Sequence, residues 1–320
     1  MDGGFRSLHS LPRVEWELDW SRSFQKQRRQ KTGKSQCTSM ESKKEMFTLA
    51  YSPCPNDTFI FYNMVHKQIF EGFHIREELH DVEHLNQSAA RELYDSTKLS
   101  FFAFFHVADR YRLLNSGSAL GSGCGPLLVK KKGKKIGNLR EMKILVPGLW
   151  TTANLLTHVY LSNFTPVPIR YDLIMDKILK DEYDAGVIIH EERFTFERRG
   201  LEKIVDLGEF WEGTYSHPIP LGAISIKRNI ELEIQKKFDS SIRKSLDMAY
   251  ANPSEPKSYI LENAQDKDES VVQSHIDLYV NQYSLSLGDT GKNAVRFLLE
   301  KALSLGILKT KIDENSLFID

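Results

Sequence analysis

Long apolar runs are missing from this chain of 320 residues. None approaches the ~20 residues that a bilayer-crossing helix needs, and the N-terminus has no apolar segment ahead of a small-residue cleavage site, so neither membrane insertion nor secretion is expected. Cysteine is scarce. Cys37, Cys54 and Cys124 show no CxxC or CxxH spacing, which argues against a zinc module and a disulfide framework and points to a reducing, cytoplasmic setting. An excess of one charge is also lacking: Lys and Arg together number 43, as do Asp and Glu. Net charge therefore gives no reason to expect nucleic acid, an anionic membrane or an acidic partner. No repeat of fixed period occurs. With 41% hydrophobic and 27% charged residues, the composition is that of an ordinary globular protein, long enough for roughly two domains.

The first 45 residues differ from the rest. Arg22, Lys26, Arg28, Arg29, Lys31 and Lys34 follow one another with no acid between them in a Gln- and Ser-rich context, a pattern that predicts disorder. Glu15, Glu17 and Asp19 upstream spoil the acid-poor pattern of a transit peptide. Met40 and Met46 are both possible starts, so residues 1–45 read as an extension or as a misassigned start and are given no chemistry.

From Phe47 onward, apolar runs of strand type alternate with helical periodicity. The pairs are strand 47–51 with helix 58–69, strand 73–79 with helix 85–94, and strand 99–103 with helix 104–114, which predicts a parallel sheet with crossover helices. A Gly-rich passage at 117–125 and a strand at 126–132 leave this unit. A second series runs through strand 143–146, helix 152–162, strand 167–171, helix 173–180, strand 185–189 and a segment at 204–207. Strand 222–226 carries the chain back, and 230–305 is expected to be mostly helical, with breaks at Asn252-Pro253 and Leu287-Gly288.

Local chemistry concentrates in Tyr51-Ser52-Pro53-Cys54-Pro55-Asn56-Asp57-Thr58. A strand end, a proline-locked turn and a helix start meet there, with Asn56 or Asp57 as the expected N-cap. Exposed amides at such a turn can hold an anion. Prolines in place of glycines exclude a Rossmann or P-loop reading. His190 closes the apolar strand 185–189 and precedes Glu191-Glu192. An imidazole with an unperturbed pKa near ~6.5 suits a general base, and a neighbouring carboxylate could orient it and raise its basicity. The other nine histidines have no comparable context and suggest no metal. Thr151, Thr152 and Ala153 open a helix after strand 143–146 and offer hydroxyls, amides and a favourable dipole end to a carboxylate. Simple capping would account for them equally well.

Taken together with Thr97-Lys98-Leu99-Ser100, Gly121-Ser122-Gly123-Cys124-Gly125-Pro126-Leu127, Val146-Pro147-Gly148, Gly186-Val187-Ile188-Ile189-His190-Glu191 and Pro218-Ile219-Pro220-Leu221-Gly222, this stretch resembles the 1,4-dihydroxy-6-naphthoate synthase family of the futalosine route to menaquinone. The resemblance runs from about Met46 to the C-terminus. It implies an α/β, two-lobed fold of the periplasmic-binding-protein type II plan, each lobe a mainly parallel sheet with flanking helices. The larger lobe would comprise 46–125 with 222–320, the smaller 126–221, and the ligand would lie between them. It further implies a carbon–carbon lyase acting on cyclic dehypoxanthinyl futalosine, a small-molecule carboxylate, without a redox cofactor or metal. His190 would be the proton acceptor, and Lys98, Leu99, Ser100, Thr152 and Ala153 would touch substrate, with Ser52, Asn56, Asp57 and Thr151 as further candidates. Trp150 departs from the smaller or more polar ring that the resemblance leads one to expect. Two other readings share the architecture: the sister enzyme chorismate dehydratase, whose relatives lack the Ser-Pro-Cys-Pro-Asn-Asp-Thr stretch, and a non-catalytic solute-binding protein.

Overall fold

A computed structural model describes residues 44–310 and 312–319. The expectation of disorder before residue 44, and Cys37, lie outside these residues. Strand β1 (Glu45–Tyr51) buries Leu49, Ala50 and Tyr51 completely because parallel neighbours flank it on both sides. Helix α1 (Pro55–His66) begins three residues earlier than its apolar pattern predicts, and its N-cap is Cys54 rather than Asn56 or Asp57. Pro55 explains the shift: its ring fixes φ near the helical value, and at the first helical position its missing N–H costs nothing. Asn56 and Asp57 thus become first-turn residues whose side chains are free for other partners.

Strand β2 (Phe73–Leu79) and helix α2 (Val82–Ala89) follow. The next elements correct the sequence reading: strand β3 is Ser96–Ser100, helix α3 is Phe101–His106, and Tyr111–Leu113 forms strand β4 instead of continuing a helix. A wholly buried aromatic run has no periodicity by which strand and helix can be told apart. Phe101, Phe102, Phe104 and Phe105 all pack in the core. Lys98, Leu99 and Ser100 consequently lie at the carboxyl end of their strand, not at its start.

After strand β5 (Ala119–Gly121) the chain enters a second sheet through strand β6 (Leu127–Lys131). Strand β7 (Lys143–Val146), helix α4 (Thr152–Leu161), strand β8 (Thr165–Pro168), helix α5 (Ile174–Leu179), strand β9 (Ala185–Ile188), helix α6 (Glu192–Thr195), strand β10 (Leu201–Asp206) and helix α7 (Leu207–Tyr215) complete this lobe. Strand β11 (Ile219–Lys227) returns to the first sheet, longer than predicted, with Pro220 at a register shift where a missing N–H is tolerated. Helices α8 (Leu232–Ala251), α9 (Lys257–Asn263), α10 (Glu269–Tyr279), α11 (Gln282–Leu285) and α12 (Gly288–Ser304) cover the first lobe, broken at Asn252 and Leu287 as the sequence signals.

The strand orders are β2-β1-β3-β11-β4, with β5 also on β11, and β10-β6-β9-β7-β8. Both sheets are mixed, because β11 runs antiparallel to β3, β4 and β5, and β6 antiparallel to β9 and β10. The antiparallel pairings fall at the strands that carry the chain between lobes, where no crossover helix reverses direction. At the crossing, Gly125 and Gly208 approach so closely that a Cβ on Gly125 would lie 2.2 Å from the Gly208 nitrogen. Arg193 secures the same point by donating to the carbonyls of Gly125 and Gly123 and to Asp206 at 2.5–2.8 Å. Among the described residues no helix is long and apolar enough to cross a membrane.

Candidate active site

A cavity between the two sheets receives the carboxyl ends of β1, β3 and β9, where open α/β sheets place ligand sites. It encloses about 90 Å³, below the ~300–1,000 Å³ usual for small-molecule sites. A ligand of that size enters only if the walls move apart.

The wall on the larger lobe is a hydrogen-bonded network centred on Asp57. Ser52 donates its hydroxyl to Asp57 Oδ2 at 2.7 Å, Asn56 donates to Oδ1 at 2.8 Å, and Lys98 Nζ reaches the same Oδ1 at 2.5 Å. Both members of the ion pair are buried, with side-chain exposures of 7% for Lys98 and 2% for Asp57. Gly222, opposite Ser100 on β11, makes room: a Cβ there would lie 2.8 Å from Lys98 Cε. Lys98 therefore already has a carboxylate partner, although an ammonium keeps further N–H donors. Asn56 Oδ1 also meets His275 Nε2 at 2.9 Å, and Ser100 is held through its amide by Asn86 at 2.9 Å.

The wall on the smaller lobe is different. His190 follows β9 with φ +58°, a left-handed conformation uncommon outside glycine but several-fold enriched for His, Asn and Asp. Such outliers gather at functional sites. The ring lines the cavity, lies edge-on to Tyr171 at 5.1 Å, and its Nδ1 is 3.3 Å from Cys54 Sγ. Nε2 is buried without a hydrogen-bond partner among the described residues. Burial depresses the His190 pKa to about 4, with Asp57 raising it and Lys98 lowering it, so the imidazole is neutral at physiological pH. The expectation that a neighbouring carboxylate orients the ring is therefore corrected, because the ring's contact is Cys54, and the upward effect of Asp57 on its basicity is outweighed by burial. Burial pushes the Cys54 thiol up, and the nearby Glu191 adds to the effect. Glu191 and Glu192 are themselves buried with no side-chain hydrogen-bond partner for any of their four carboxylate oxygens among the described residues, and burial raises both pKa values, in Glu191 against the backbone amides of Glu191 and Gln265.

Ser52, Asn56, Asp57, Lys98, Leu99, Ser100, Thr151 and His190 all line the cavity. Thr152 and Ala153 stand behind it. The Thr152 hydroxyl donates to the Leu221 carbonyl at 2.9 Å and accepts from Phe102 N, while Thr151 caps α4 by accepting from Asn154 N. As first-turn residues, Thr152 and Ala153 contribute amides that have no partner within the helix. Trp150 does not line the cavity. Its ring stacks on His106 of the other lobe at 4.8 Å and 9°, and its amide reaches Glu83 of α2. Sequence reasoning missed Cys54, His275, Tyr279 and Cys124 as lining residues. Cys54 was detectable, lying between two prolines in the densest motif of the chain; His275 and Tyr279 sit in a helix more than 200 residues from that motif and carry no local signal.

Cys54, His190 and Glu191 could in principle hold a metal, since one donor atom from each lies within 4.8 Å of the others.

A family model described as menaquinone biosynthesis matches residues 47–304. The chain is 41% identical to a 1,4-dihydroxy-6-naphthoate synthase of Thermus thermophilus, over 82% of this chain and 96% of that protein, and 36% identical to the Streptomyces coelicolor protein of the same name, over 81% and 94%. A crystal structure from Archaeoglobus fulgidus superposes with a TM-score of 0.78 at 33% identity, covering 82% of this chain and 98% of that one. The alkanesulfonate-binding protein of Xanthomonas axonopodis, at 13% identity and TM-score 0.64 over 83% and 94% of the two chains, shares the fold alone. On this evidence the two-lobed chain, built on the periplasmic-binding-protein plan, belongs to the menaquinone-biosynthesis family.

Proposed function

We propose that this protein is a 1,4-dihydroxy-6-naphthoate synthase, a lyase of the futalosine route that acts on cyclic dehypoxanthinyl futalosine. The observation that carries the reading is a neutral imidazole, held left-handed at the end of β9, lining the interlobe cavity with Nε2 unpartnered among the described residues. In the tautomer whose Nδ1–H donates to Cys54 Sγ, the Nε2 lone pair accepts a proton from a carbon made acidic by an adjacent carbonyl. The C–C bond to the sugar remnant then breaks, and gain of aromaticity drives the remaining steps. The larger lobe binds and orients: the substrate carboxylate faces Lys98, Ser100 and the first-turn amides of Thr152 and Ala153, with Leu99 packing beside it. Exclusion of water and fixed positioning supply much of the rate, and one base makes the transfer. We take the lobes to be 46–125 with 222–320 and 126–221, moving apart to admit substrate. Two buried thiols, Cys54 and Cys124, and the biosynthetic role of the relatives support a cytoplasmic setting.

Purified protein incubated with cyclic dehypoxanthinyl futalosine should release the naphthoate chromophore, and with chorismate it should release nothing. Dehydration of chorismate, or binding of the futalosine compound without turnover, would replace this reading by the sister enzyme or by a binding protein.

A further inference from the structure

The three donors Cys54, His190 and Glu191 exceed what proton transfer requires. Cys54 precedes α1 on the larger lobe, whereas His190 and Glu191 follow β9 on the smaller one, so the set straddles the cleft. Their donor atoms lie within 4.8 Å of one another. Glu191 is only 3% exposed, and its carboxylate has no side-chain or cationic hydrogen-bond partner among the described residues, only the backbone amides of Glu191 itself and Gln265 facing it. A buried carboxylate without a cationic partner is costly, and a cation is the chemistry that would satisfy it. One thiolate, one imidazole and one carboxylate select a late first-row dication of the zinc class over magnesium or calcium, which take oxygen. Zinc bond lengths of about 2.0–2.3 Å put the ligand atoms of a tetrahedral site roughly 3.3–3.8 Å apart. The 3.3 Å between Cys54 Sγ and His190 Nδ1 already meets that spacing, and closing the set onto Glu191 needs a movement of only about an ångström.

We propose that Cys54, His190 and Glu191 form an inhibitory zinc site. Three protein ligands leave the fourth position to water. A dication on His190 Nδ1 takes that nitrogen's lone pair, moves the ring N–H to Nε2 and ties the two lobes together, so it removes the basic lone pair and holds the cleft shut. The inhibition, though not the binding, rests on His190 being the proton acceptor.

Cobalt(II) added to the full chain provides the first test, because a thiolate ligand gives an intense charge-transfer band in the near ultraviolet. One equivalent should produce that band. Cys54→Ser should abolish it, while Cys124→Ser and Cys37→Ser keep it. Zinc affinity, measured by competition with a chromophoric chelator, should fall at least roughly tenfold in Glu191→Gln, the lower bound even for a supporting residue of a metal site, and should hold in Glu192→Gln. Should Cys54→Ser not fold, Glu191→Gln and the other two cysteine variants still decide the matter. Absence of the band in the wild type, its persistence in Cys54→Ser, or unchanged zinc affinity in Glu191→Gln would overturn the site. In the turnover assay zinc should inhibit and a chelator restore activity, with the inhibiting concentration at least roughly tenfold higher in Glu191→Gln. Zinc bound at these residues with turnover undiminished would overturn the inhibitory role. Undiminished turnover of metal-free His190→Ala would instead remove the proton-acceptor reading and leave the binding result standing.

Discussion

The two walls of the cleft solve the problem of buried polar groups in opposite ways. On the larger lobe, Ser52, Asn56, Asp57, Lys98 and His275 are joined by hydrogen bonds and an ion pair, with His275 Nδ1 alone among them buried without a partner among the described residues. On the smaller lobe, His190, Glu191 and Glu192 leave five polar atoms buried without side-chain partners among the described residues. A nearly complete network is rigid and holds its geometry before a ligand arrives, whereas unpartnered groups keep their lone pairs available. The first wall is suited to positioning and the second to reaction. Each of the following variants attacks that division, the largest expected effect first.

Replacing His190 by alanine should lower turnover by about 10² to 10⁴-fold, the usual contribution of a positioned general base, while circular dichroism and substrate affinity stay close to wild type. Near-wild-type turnover would end the assignment of reaction to the smaller lobe. Asp57→Ala should cost about 3–5 kcal/mol of stability in chemical denaturation, because it strands the Lys98 ammonium in a buried site. Adding Lys98→Met should recover most of that loss. If the single variant is as stable as the parent, the larger wall is not the interlocked network its distances describe.

The two walls communicate through charge. With the His190 pKa near 4 against an ordinary 6.5, the acid limb of kcat/KM, which reports the free enzyme, should lie near pH 4. Because the folded state resists charging this ring, stability is complete above about 6.5 and declines as pH falls from there towards 4. Lys98→Met should move the limb upward and Asp57→Asn downward, since the ammonium disfavours and the carboxylate favours the imidazolium. A limb that stays near 6.5 in all three proteins would mean that the base is exposed to water.

How much of this is legible in sequence follows from which interactions are local. The Ser-Pro-Cys-Pro-Asn-Asp-Thr stretch announces its turn because proline geometry is a property of single residues, and β7 matches its predicted limits because apolar positions and flanking breakers coincide. Strand β4 was hidden, since the aromatic run before it is buried all round and carries no period. The antiparallel course of β11 was hidden as well, because strand direction depends on pairing across more than 100 residues. At the site, the proline motif and the strand-end histidine mark themselves, but the bond from Asn56 to His275 spans 219 positions. The depressed His190 pKa arises mainly from burial, which no neighbouring residue in the chain encodes.

Smaller effects separate the reactive histidine from its acidic neighbours. Burial, followed by the charges of Asp172, Glu191 and Asp176, keeps the Glu192 carboxyl well above its ordinary value of 4.5, against the opposing pull of Arg199. With the folded value above the unfolded one, stability is complete below about 4.5 and is lost as pH rises through the folded value. Glu192→Gln removes the ionisation. It should match the wild type at pH 4 and exceed it by on the order of 1 kcal/mol at pH 8, and equal pH dependence in the two proteins would show that water reaches this carboxyl.

The smallest effect tests whether the walls act only when brought together. Trp150 and His106 come from opposite lobes, and their stack bridges the cleft. Trp150→Ala should therefore destabilise the closed form by about 0.5–1.5 kcal/mol, the contribution of an aromatic pair beyond its area. The chemistry at His190 should be little changed. KM should rise roughly two- to tenfold with kcat nearly constant, and the radius of gyration of the ligand-free protein in X-ray scattering should increase. A fall in kcat at unchanged KM would instead mean that Trp150 reaches the reacting groups through the cavity wall. The division between a binding lobe and a reacting lobe would then have to include this ring on the reacting side.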